Sequence, residues 1–325
     1  MADEAETICR MRLAASGYAI VEMKRKSGPF AATVFDLTLS RDGGAPERYV
    51  YKQPPPDRTG EFELYEAMPD ELAAWLPPLA ETFREAPCAL LLRYVGEPLL
   101  EAGSRAAQSG AERGRRLSTA AAKLAELHLA TESLAERWVR ERILPPYAYS
   151  REWADWTISQ LERAARRDMP ALDERRTAAV AAVADSFYAG YGPDAMRGAP
   201  VFTHGDPHWG NVLVQDGRVS LIDWEWCRAA TPMRDVAILL QEEPDDRIAE
   251  RIAAEHAERL AQGGHRADPA ALAHDFRYMM IDNSLMMLGW DVELLLRGER
   301  SLERTRAAAA VKASRILTFW NRMNG

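Results

Sequence analysis

Three side chains whose oxygen atoms could bind a metal ion lie close together in the sequence. They are Asp206, Asn211 and Asp223. Asp206 and Asn211 belong to the Gly- and Pro-containing segment H-G-D-P-H-W-G-N, whereas Asp223 follows an apolar run. Between them, V-L-V and V-S-L-I flank an Asp-Gly dipeptide, which is typical of a hairpin turn. Because a hairpin brings its ends together, we expect the three side chains to be neighbours. Carboxylate and amide oxygens suit Mg²⁺, so the pattern predicts metal-assisted phosphoryl transfer.

A lysine in a strand supplies the positive charge that this chemistry requires. Lys52 ends the run R-Y-V-Y-K and can direct its ammonium group at nucleotide phosphates. An acidic residue on the following helix can hold the lysine in place. Phosphoryl transfer depends on positioning and charge neutralisation more than on covalent chemistry. Asp206 could then accept or orient the proton of an attacking hydroxyl.

The elements that would position Lys52 lie in the first 95 residues. After a short helix that ends at Gly17, the pattern predicts an antiparallel meander, then a helix from Thr59 to about Trp75, then two more strands. The predicted strands of the meander and the last strand are Tyr18–Lys26, Phe30–Ser40, Arg48–Lys52 and Ala89–Tyr94. The segment V-G-E-P that begins at Val95 marks a boundary, so we predict domains at 1–95 and 96–325.

The remainder of the chain predicts helices around the loop and hairpin. Leu117, Leu124 and Leu127 mark one face of a helix over about 108–134. Six further helices are predicted, over 150–166, 172–190, 233–241, 245–262, 269–296 and 301–322.

The segment H-G-D-P-H-W-G-N-V-L-V, followed by L-I-D-W-E, resembles the aminoglycoside phosphotransferase and choline kinase-like family. The interval between Asp206 and Asn211 also matches the D-x-x-x-x-N pattern of protein kinases. The resemblance covers nearly the whole chain in order, from the strand lysine through the L-A-E-L-H helix to the hairpin. It implies an α+β, two-lobed, protein-kinase-like fold. The small lobe would be an antiparallel sheet with one main helix, the larger lobe would be mostly helical, and nucleotide would lie between them.

The resemblance also implies roles for the phosphate-transfer residues. Asp206 would be the catalytic base, and Asn211 and Asp223 would bind Mg²⁺. Lys52 would contact the α- and β-phosphates of ATP or GTP. Its partner on the helix would be Glu61, which precedes Tyr65 by four residues as is common in the family; we favour it over Glu63 and Glu66.

The nucleotide base would hydrogen-bond to the backbone around Arg93 and Val95. The loop K-R-K-S-G-P-F-A-A-T, with Ser27 and Gly28, would lie over the phosphates. It has one glycine where protein kinases carry three, so the sequence does not identify which groups of this loop contact the phosphates. No A-P-E sequence follows Asp223, which argues against a protein substrate.

Composition narrows the class of protein further. The net charge of −8 argues against nucleic acid as a partner and is compatible with a cationic substrate. The three cysteines form no C-x-x-C pair, the N-terminus lacks the order of a signal peptide, and no apolar run approaches the length of a membrane span. We expect a cytoplasmic protein with no membrane partner, either a monomer or a homodimer.

The acceptor is expected to bind the late helices. Asp275, Asp282 and Trp290 are seven and eight residues apart, so one helical face could present them to an ammonium-bearing substrate. A packed helix with a solvated acidic edge explains the same pattern. Antibiotics, choline-like amines, sugars and amino alcohols all remain candidate acceptors.

Two other functions compete with the kinase interpretation. His204-x-Asp206-x-His208 superficially resembles a transition-metal cluster of a metallohydrolase. That reading requires more histidines nearby, and we expect the late histidines, His256, His265 and His274, to lie in surface helices or loops, with His128 in the core. A non-catalytic, kinase-shaped nucleotide-binding module is the second alternative, although the predicted base and both metal ligands are present.

Overall fold

The computed structural model describes residues 4–26, 33–67, 72–99, 109–190, 195–215 and 218–324. The chain is divided into two compact units. The first comprises Met1–Ala102 with Trp209–Trp226, and the second comprises Gly103–His208 with Cys227–Gly325. The functional division at residue 95 stays a prediction.

The first unit contains a five-stranded antiparallel sheet in the order β1-β2-β3-β5-β4. Helix α1 (Glu4–Ala15) precedes the sheet, and Gly17 reverses the chain with a φ of +79°. The strands are β1 (Tyr18–Lys26), β2 (Thr33–Arg41), β3 (Glu47–Gln53), β4 (Leu79–Phe83) and β5 (Ala89–Arg93). The predicted meander is therefore confirmed, and β3 lies at the centre of the sheet.

Alternation along the strands builds the core of this unit. Phe35, Leu37 and Leu39 are buried at every second position of β2, because successive side chains of a strand point to opposite faces. They share one buried cluster with Cys9 and Leu13 of α1. This packing fixes the sheet that carries Lys52.

The predicted helix after β3 is shorter in the structure. Helix α2 runs from Gly60 to Ala67, and Leu72–Trp75 lies in turns. The expected continuation to Trp75 is therefore wrong. Pro69, in the sequence between these segments, explains the difference, since a proline inside a helix removes a backbone donor and clashes with the preceding turn.

A second, three-stranded sheet of the first unit has the order β6-β8-β9. Its strands are β6 (Glu97–Pro98), β8 (Val212–Gln215) and β9 (Arg218–Leu221). The predicted hairpin is confirmed by the antiparallel pairing of β8 with β9. The pairing of β6 with β8 was not predicted, and it joins the end of the first chain segment to the hairpin.

The second unit is mostly helical, as predicted. Its helices are α3 (Gly110–Arg140), α4 (Glu152–Arg166), α5 (Glu174–Gly190), α6 (Met233–Leu240), α7 (Asp246–Gln262), α8 (Pro269–Leu296) and α9 (Leu302–Asn324). Strands β7 (Val201–Thr203) and β10 (Arg228–Ala230) form a short antiparallel pair beside the loop that carries Asp206.

Helix α8 is the centre of this unit, packed against α4, α6, α7 and α9. Its apolar residues face all round the helix, which is typical of a helix with packing partners on several sides. Even so, no helix in the described ranges is long and apolar enough to span a membrane.

Candidate active site

Lys52 projects from the central strand β3 and is mostly buried, with 13% of its side chain exposed. Its ammonium group forms an ion pair with Glu61, and its Nζ lies 2.7 Å from Oδ1 of Asp223. Burial opposes the charge, but the two carboxylates outweigh that effect and raise the pKa of Lys52. The site therefore keeps a fixed positive charge in a partly dehydrated position.

Glu61 holds this lysine from helix α2. Its carboxylate is buried and also accepts a hydrogen bond from the Trp224 amide at 3.2 Å. The neighbouring acids have other contacts: Glu63 accepts from the Thr59 hydroxyl, and Glu66 pairs with Arg84. Glu61 is thus the helix acid that contacts Lys52.

Asp223 follows strand β9 in a left-handed backbone conformation, with a φ of +67°. Side chains other than glycine adopt this region rarely, and such residues cluster at functional sites. Its side chain remains 41% exposed while it contacts Lys52. The carboxylate is therefore oriented by the lysine yet accessible to a ligand.

Asn211 immediately precedes β8, at the open end of the same hairpin. Its carbonyl accepts a hydrogen bond from the Ile222 amide at 3.0 Å, which joins the two ends of the hairpin. Asn211 and Asp223 thus place an amide and a carboxylate at one end of one element. These donors fit Mg²⁺, which commonly takes one or two protein oxygens and completes its coordination with water and phosphate.

Asp206 belongs to the second unit and lies in the loop after β7. Its backbone amide donates to Nδ1 of the buried His204 at 3.2 Å, so His204 braces the loop. Its carboxylate is about one-third exposed and lies 3.9 Å from Nε2 of His208. A solvent-accessible carboxylate on a braced loop is suited to proton transfer.

Two residues at the start of α6 anchor this loop, and no pattern in the sequence predicted either of them. The Asp235 carboxylate accepts hydrogen bonds from the backbone amides of His204 and Gly205, each at 2.8 Å. The Arg234 guanidinium donates to the Thr203 hydroxyl at 3.0 Å and to the Gly205 carbonyl at 3.2 Å. The sequence T-P-M-R-D offers no motif that would reveal these long-range contacts.

The expectation that the late histidines lie at the surface is wrong. His256 is fully buried, His265 is almost fully buried, and only a small part of His274 is exposed. His256 packs against α3, where its ring contacts His128, and His265 bonds to Glu132. These partners are more than a hundred positions away, beyond the reach of local periodicity. His128 is buried, as expected.

The predicted nucleotide-base contacts lie at the end of β5. The Arg93 amide donates to the Pro78 carbonyl, and its side chain pairs with Glu47. Next to it, the Tyr94 amide donates to the Arg48 carbonyl. The other predicted nucleotide contacts, Ser27 and Gly28, lie outside the described residues.

The three predicted acceptor residues on α8 have different neighbours. Asp275 is fully buried and accepts hydrogen bonds from the amides of Arg197 and Gly198 and from the Thr231 hydroxyl. Asp282 is also buried and accepts hydrogen bonds from the hydroxyls of Tyr147 and Tyr188. Trp290 packs edge-on against Trp156. No solvated acidic edge is formed by these two aspartates.

A histidine-rich metal cluster has no counterpart in the described ranges, which hold no group of three or more His, Cys, Asp or Glu side chains placed to share an ion. His204 is instead engaged with the loop backbone. The arrangement thus gives no support to the metallohydrolase interpretation.

A buried strand lysine paired with a helix glutamate, and an aspartate followed five residues later by an asparagine, are parts of enzymes that transfer phosphoryl groups. Residues 26–274 match the model of the phosphotransferase enzyme family. The chain belongs to that family. It is therefore a phosphotransferase.

Solved structures show the same fold at low sequence identity. A thermostable mutant of aminoglycoside phosphotransferase APH(4)-Ia is 17% identical, with a TM-score of 0.59 over 97% of this chain and 99% of that one. Choline kinase LicA from Streptococcus pneumoniae is 13% identical, with a TM-score of 0.60 over 98% and 100%. Amicoumacin kinase hAmiN, in complex with AMP-PNP, Ca²⁺ and Ami, is 14% identical, with a TM-score of 0.60 over 97% and 93%. The expected α+β, protein-kinase-like fold is confirmed. Among curated proteins, none matched the sequence.

Proposed function

We propose that this chain is a Mg²⁺-dependent kinase that transfers the γ-phosphate of ATP or GTP to a hydroxyl of a small metabolite or antibiotic. The observation that carries the proposal is the ion-pair set in which Lys52 contacts both Glu61 and Asp223. Such a lysine, fixed between a helix acid and a metal-ligand acid, suits the binding of nucleotide phosphates. In this role Lys52 contacts the α- and β-phosphates.

Asn211 and Asp223 are the residues that would hold Mg²⁺. Their oxygen donors lie at the open end of one hairpin, and the Asp223 carboxylate is accessible. An ion held there would neutralise charge on the nucleotide phosphates. Lys52 orients the Asp223 carboxylate toward this role through their direct contact.

Asp206 serves as the base that accepts the proton of the acceptor hydroxyl. The loop anchors described above restrict its backbone, because Asp235 and Arg234 engage the residues immediately before it. Restricting the base in this way reduces the entropy lost on reaching the reactive geometry.

The nucleotide base binds the backbone at the end of β5. The Arg93 amide already donates a hydrogen bond to the Pro78 carbonyl. We therefore assign the Arg93 carbonyl and the Val95 amide as the groups that hydrogen-bond to the nucleotide base. These are backbone groups, which explains why the sequence itself does not distinguish ATP from GTP.

The acceptor is a small, hydroxyl-bearing molecule, and a cationic one agrees with the net charge of −8. The similar solved structures include an aminoglycoside phosphotransferase, a choline kinase and an amicoumacin kinase. Of the residues on α8, we keep Asp282 and Trp290 as the proposed acceptor contacts, because the donors to Asp282 are two tyrosine side chains rather than backbone amides. The hydrogen bonds that Asp275 accepts from two backbone amides fit a structural role better.

An assay of ADP or GDP release tests the proposal. The chain is incubated with Mg²⁺ and either nucleotide across aminoglycosides, macrolides, choline-like amines, sugars and amino alcohols, with Asp206→Asn as the matched control. We expect at least one acceptor to raise release in the wild type only, with phosphate recovered on the acceptor. Thermal stabilisation by Mg²⁺ and nucleotide without release for any acceptor would instead support a non-catalytic module.

A further inference from the structure

A line of hydrogen bonds crosses the interior of the second unit and ends at the loop that carries Asp206. Nδ1 of His256, on α7, lies 2.9 Å from the Ala121 carbonyl of α3. Its Nε2 lies 3.2 Å from Nδ1 of His128, also on α3. Nε2 of His128 lies 3.0 Å from Oδ2 of Asp235 on α6. The side chains of all three linked residues are completely buried.

The carbonyl at one end of this line decides which nitrogen of His256 carries a proton. A backbone carbonyl can only accept, so Nδ1 of His256 must be the donor to Ala121. Burial, with a smaller effect of the nearby His128 charge, lowers the pKa of His256 to about 3, so its ring is neutral. Nε2 of His256 therefore has a lone pair, and the proton between the two rings belongs to Nδ1 of His128.

The carboxylate at the other end of the line decides whether Nε2 of His128 carries a proton. Asp235 accepts two backbone amides besides facing His128. Burial opposes its ionisation, but the hydrogen bond and charge of His128, with smaller effects of His204 and Arg234, lower the pKa of Asp235 overall. An ionised carboxylate requires a donor at Nε2 of His128, so both nitrogens of that ring carry protons.

We propose that His128 is a fully buried imidazolium, that His256 fixes this state, and that the pair positions the catalytic loop through Asp235. The role in catalysis rests on the proposed function of Asp206, whereas the protonation state does not. His128 and His256 are positioning residues, since neither lies in the loop itself. The charge of His128 allows Asp235 to remain ionised while it is buried and hold two loop amides.

Other charged or titratable groups surround this line. Arg234 and His204 face Asp235, and His265 lies near enough to His256 to affect its charge. Arg234 also holds the loop directly, so it is unsuitable as a test of the pair. His256 is the informative position, because its only proposed effect on the loop passes through His128.

The protonation states can be measured directly with ¹⁵N-labelled histidine. The chain has six histidines, so long-range ¹H–¹⁵N spectra at neutral pH can be assigned with single His→Gln variants. We expect His128 to show protons on both ring nitrogens and His256 to show the Nδ1-protonated tautomer. A neutral His128 in the wild type overturns the inference, whether or not the chain shows kinase activity.

Two substitutions of His256 test whether the protonation state of His128 affects the loop that carries Asp206. In His256→Gln the amide can donate to Ala121 and accept from His128, whereas His256→Leu removes the acceptor. His274→Gln, at a histidine that contacts Asp275 and does not belong to this line, is the control. Circular dichroism verifies folding of each variant.

With an acceptor found by nucleotide release, we expect His256→Leu to lower kcat about tenfold, equivalent to about 1.4 kcal/mol, with little change in KM for nucleotide. His256→Gln, which keeps an acceptor for His128, should restore kcat toward the wild-type value. A folded leucine variant with wild-type kcat overturns the positioning role. If no acceptor is phosphorylated, the spectra still decide the protonation state.

Discussion

At the scale of single residues, Asp206 offers the most direct test of the reaction. Asparagine has the same shape but cannot accept the proton, so Asp206→Asn should lower kcat by roughly 10² to 10⁴. Nucleotide binding should change little, because the residues proposed to hold nucleotide and metal lie elsewhere in the sequence. Steady-state kinetics and calorimetric titration with Mg²⁺–nucleotide separate these effects. Wild-type turnover in this variant would show that Asp206 is not the base.

Asp223 should affect binding rather than proton transfer. Asparagine tolerates the left-handed backbone that this position adopts, so Asp223→Asn removes charge without adding strain. We expect the affinity for Mg²⁺–nucleotide to fall about tenfold or more, which corresponds to at least about 1.4 kcal/mol. Excess Mg²⁺ should recover part of the loss. An affinity that is unchanged at low Mg²⁺ would rule out the ligand role.

The contrast between Lys52 and His256 shows which residues a sequence can reveal. Lys52 could be singled out because its strand, the helix acid after it and the hairpin aspartate follow a recognisable order. His256 carried no such signal, since its environment is created by α3 and α6. A buried polar residue becomes apparent only when its distant hydrogen-bond partners are known.

At the scale of elements, Gly96 is the position where β6 meets the hairpin. Its φ is +125°, and a Cβ there would lie 2.6 Å from the Val214 carbonyl oxygen. Gly96→Ala should therefore destabilise the first unit by about 1–3 kcal/mol through backbone strain and displacement of β8. Urea denaturation monitored by tryptophan fluorescence measures the effect.

Gly110→Ala is the matched control for Gly96. Gly110 begins α3, and a Cβ there meets no atom closer than 3.5 Å. Alanine favours helix, so this variant should be neutral or slightly more stable. Equal stabilities of the two variants would mean that the approach of β6 to β8 does not constrain residue 96.

The elements themselves were largely predictable because their patterns are local. The helices of the second unit and the strands around Lys52 follow hydrophobic periodicity and Gly- or Pro-containing turns. Strand β6 was missed because two residues carry no periodicity, and its pairing depends on a close approach that only glycine allows. The end of α2 was misplaced where periodic residues continued past Pro69.

At the scale of the whole molecule, the acceptor was the least predictable feature. The periodic placement of Asp275 and Asp282 indicates a shared helix but does not distinguish a binding face from a packed one. In the structure both carboxylates are buried and hydrogen-bonded within the second unit. Packing of α8 against four helices produces that outcome, and no single segment encodes it.

The buried histidine line also predicts how global stability depends on pH. The pKa of His256 falls from an ordinary value of about 6.5 to about 3 in the folded chain. Between these values the unfolded chain binds a proton that the folded chain excludes. Stability must therefore fall as pH falls through this window, by up to about 1.4 kcal/mol per pH unit for this residue.

Replacement of His256 by glutamine should remove that contribution, because the amide does not titrate. Urea denaturation from about pH 6.5 to about pH 4.5 should show a smaller loss of stability in His256→Gln than in the wild type. The pKa of Asp235 is lowered as well, so its contribution to the free energy of unfolding is lost only when the pH falls below the ordinary aspartate pKa. The two contributions can therefore be separated, because the loss from His256 already begins at higher pH. Identical slopes in this range would mean that His256 is protonated in the folded chain. Nε2 of His256 would then carry a proton and could not accept from His128, so acid stability and loop positioning depend on the same neutral ring.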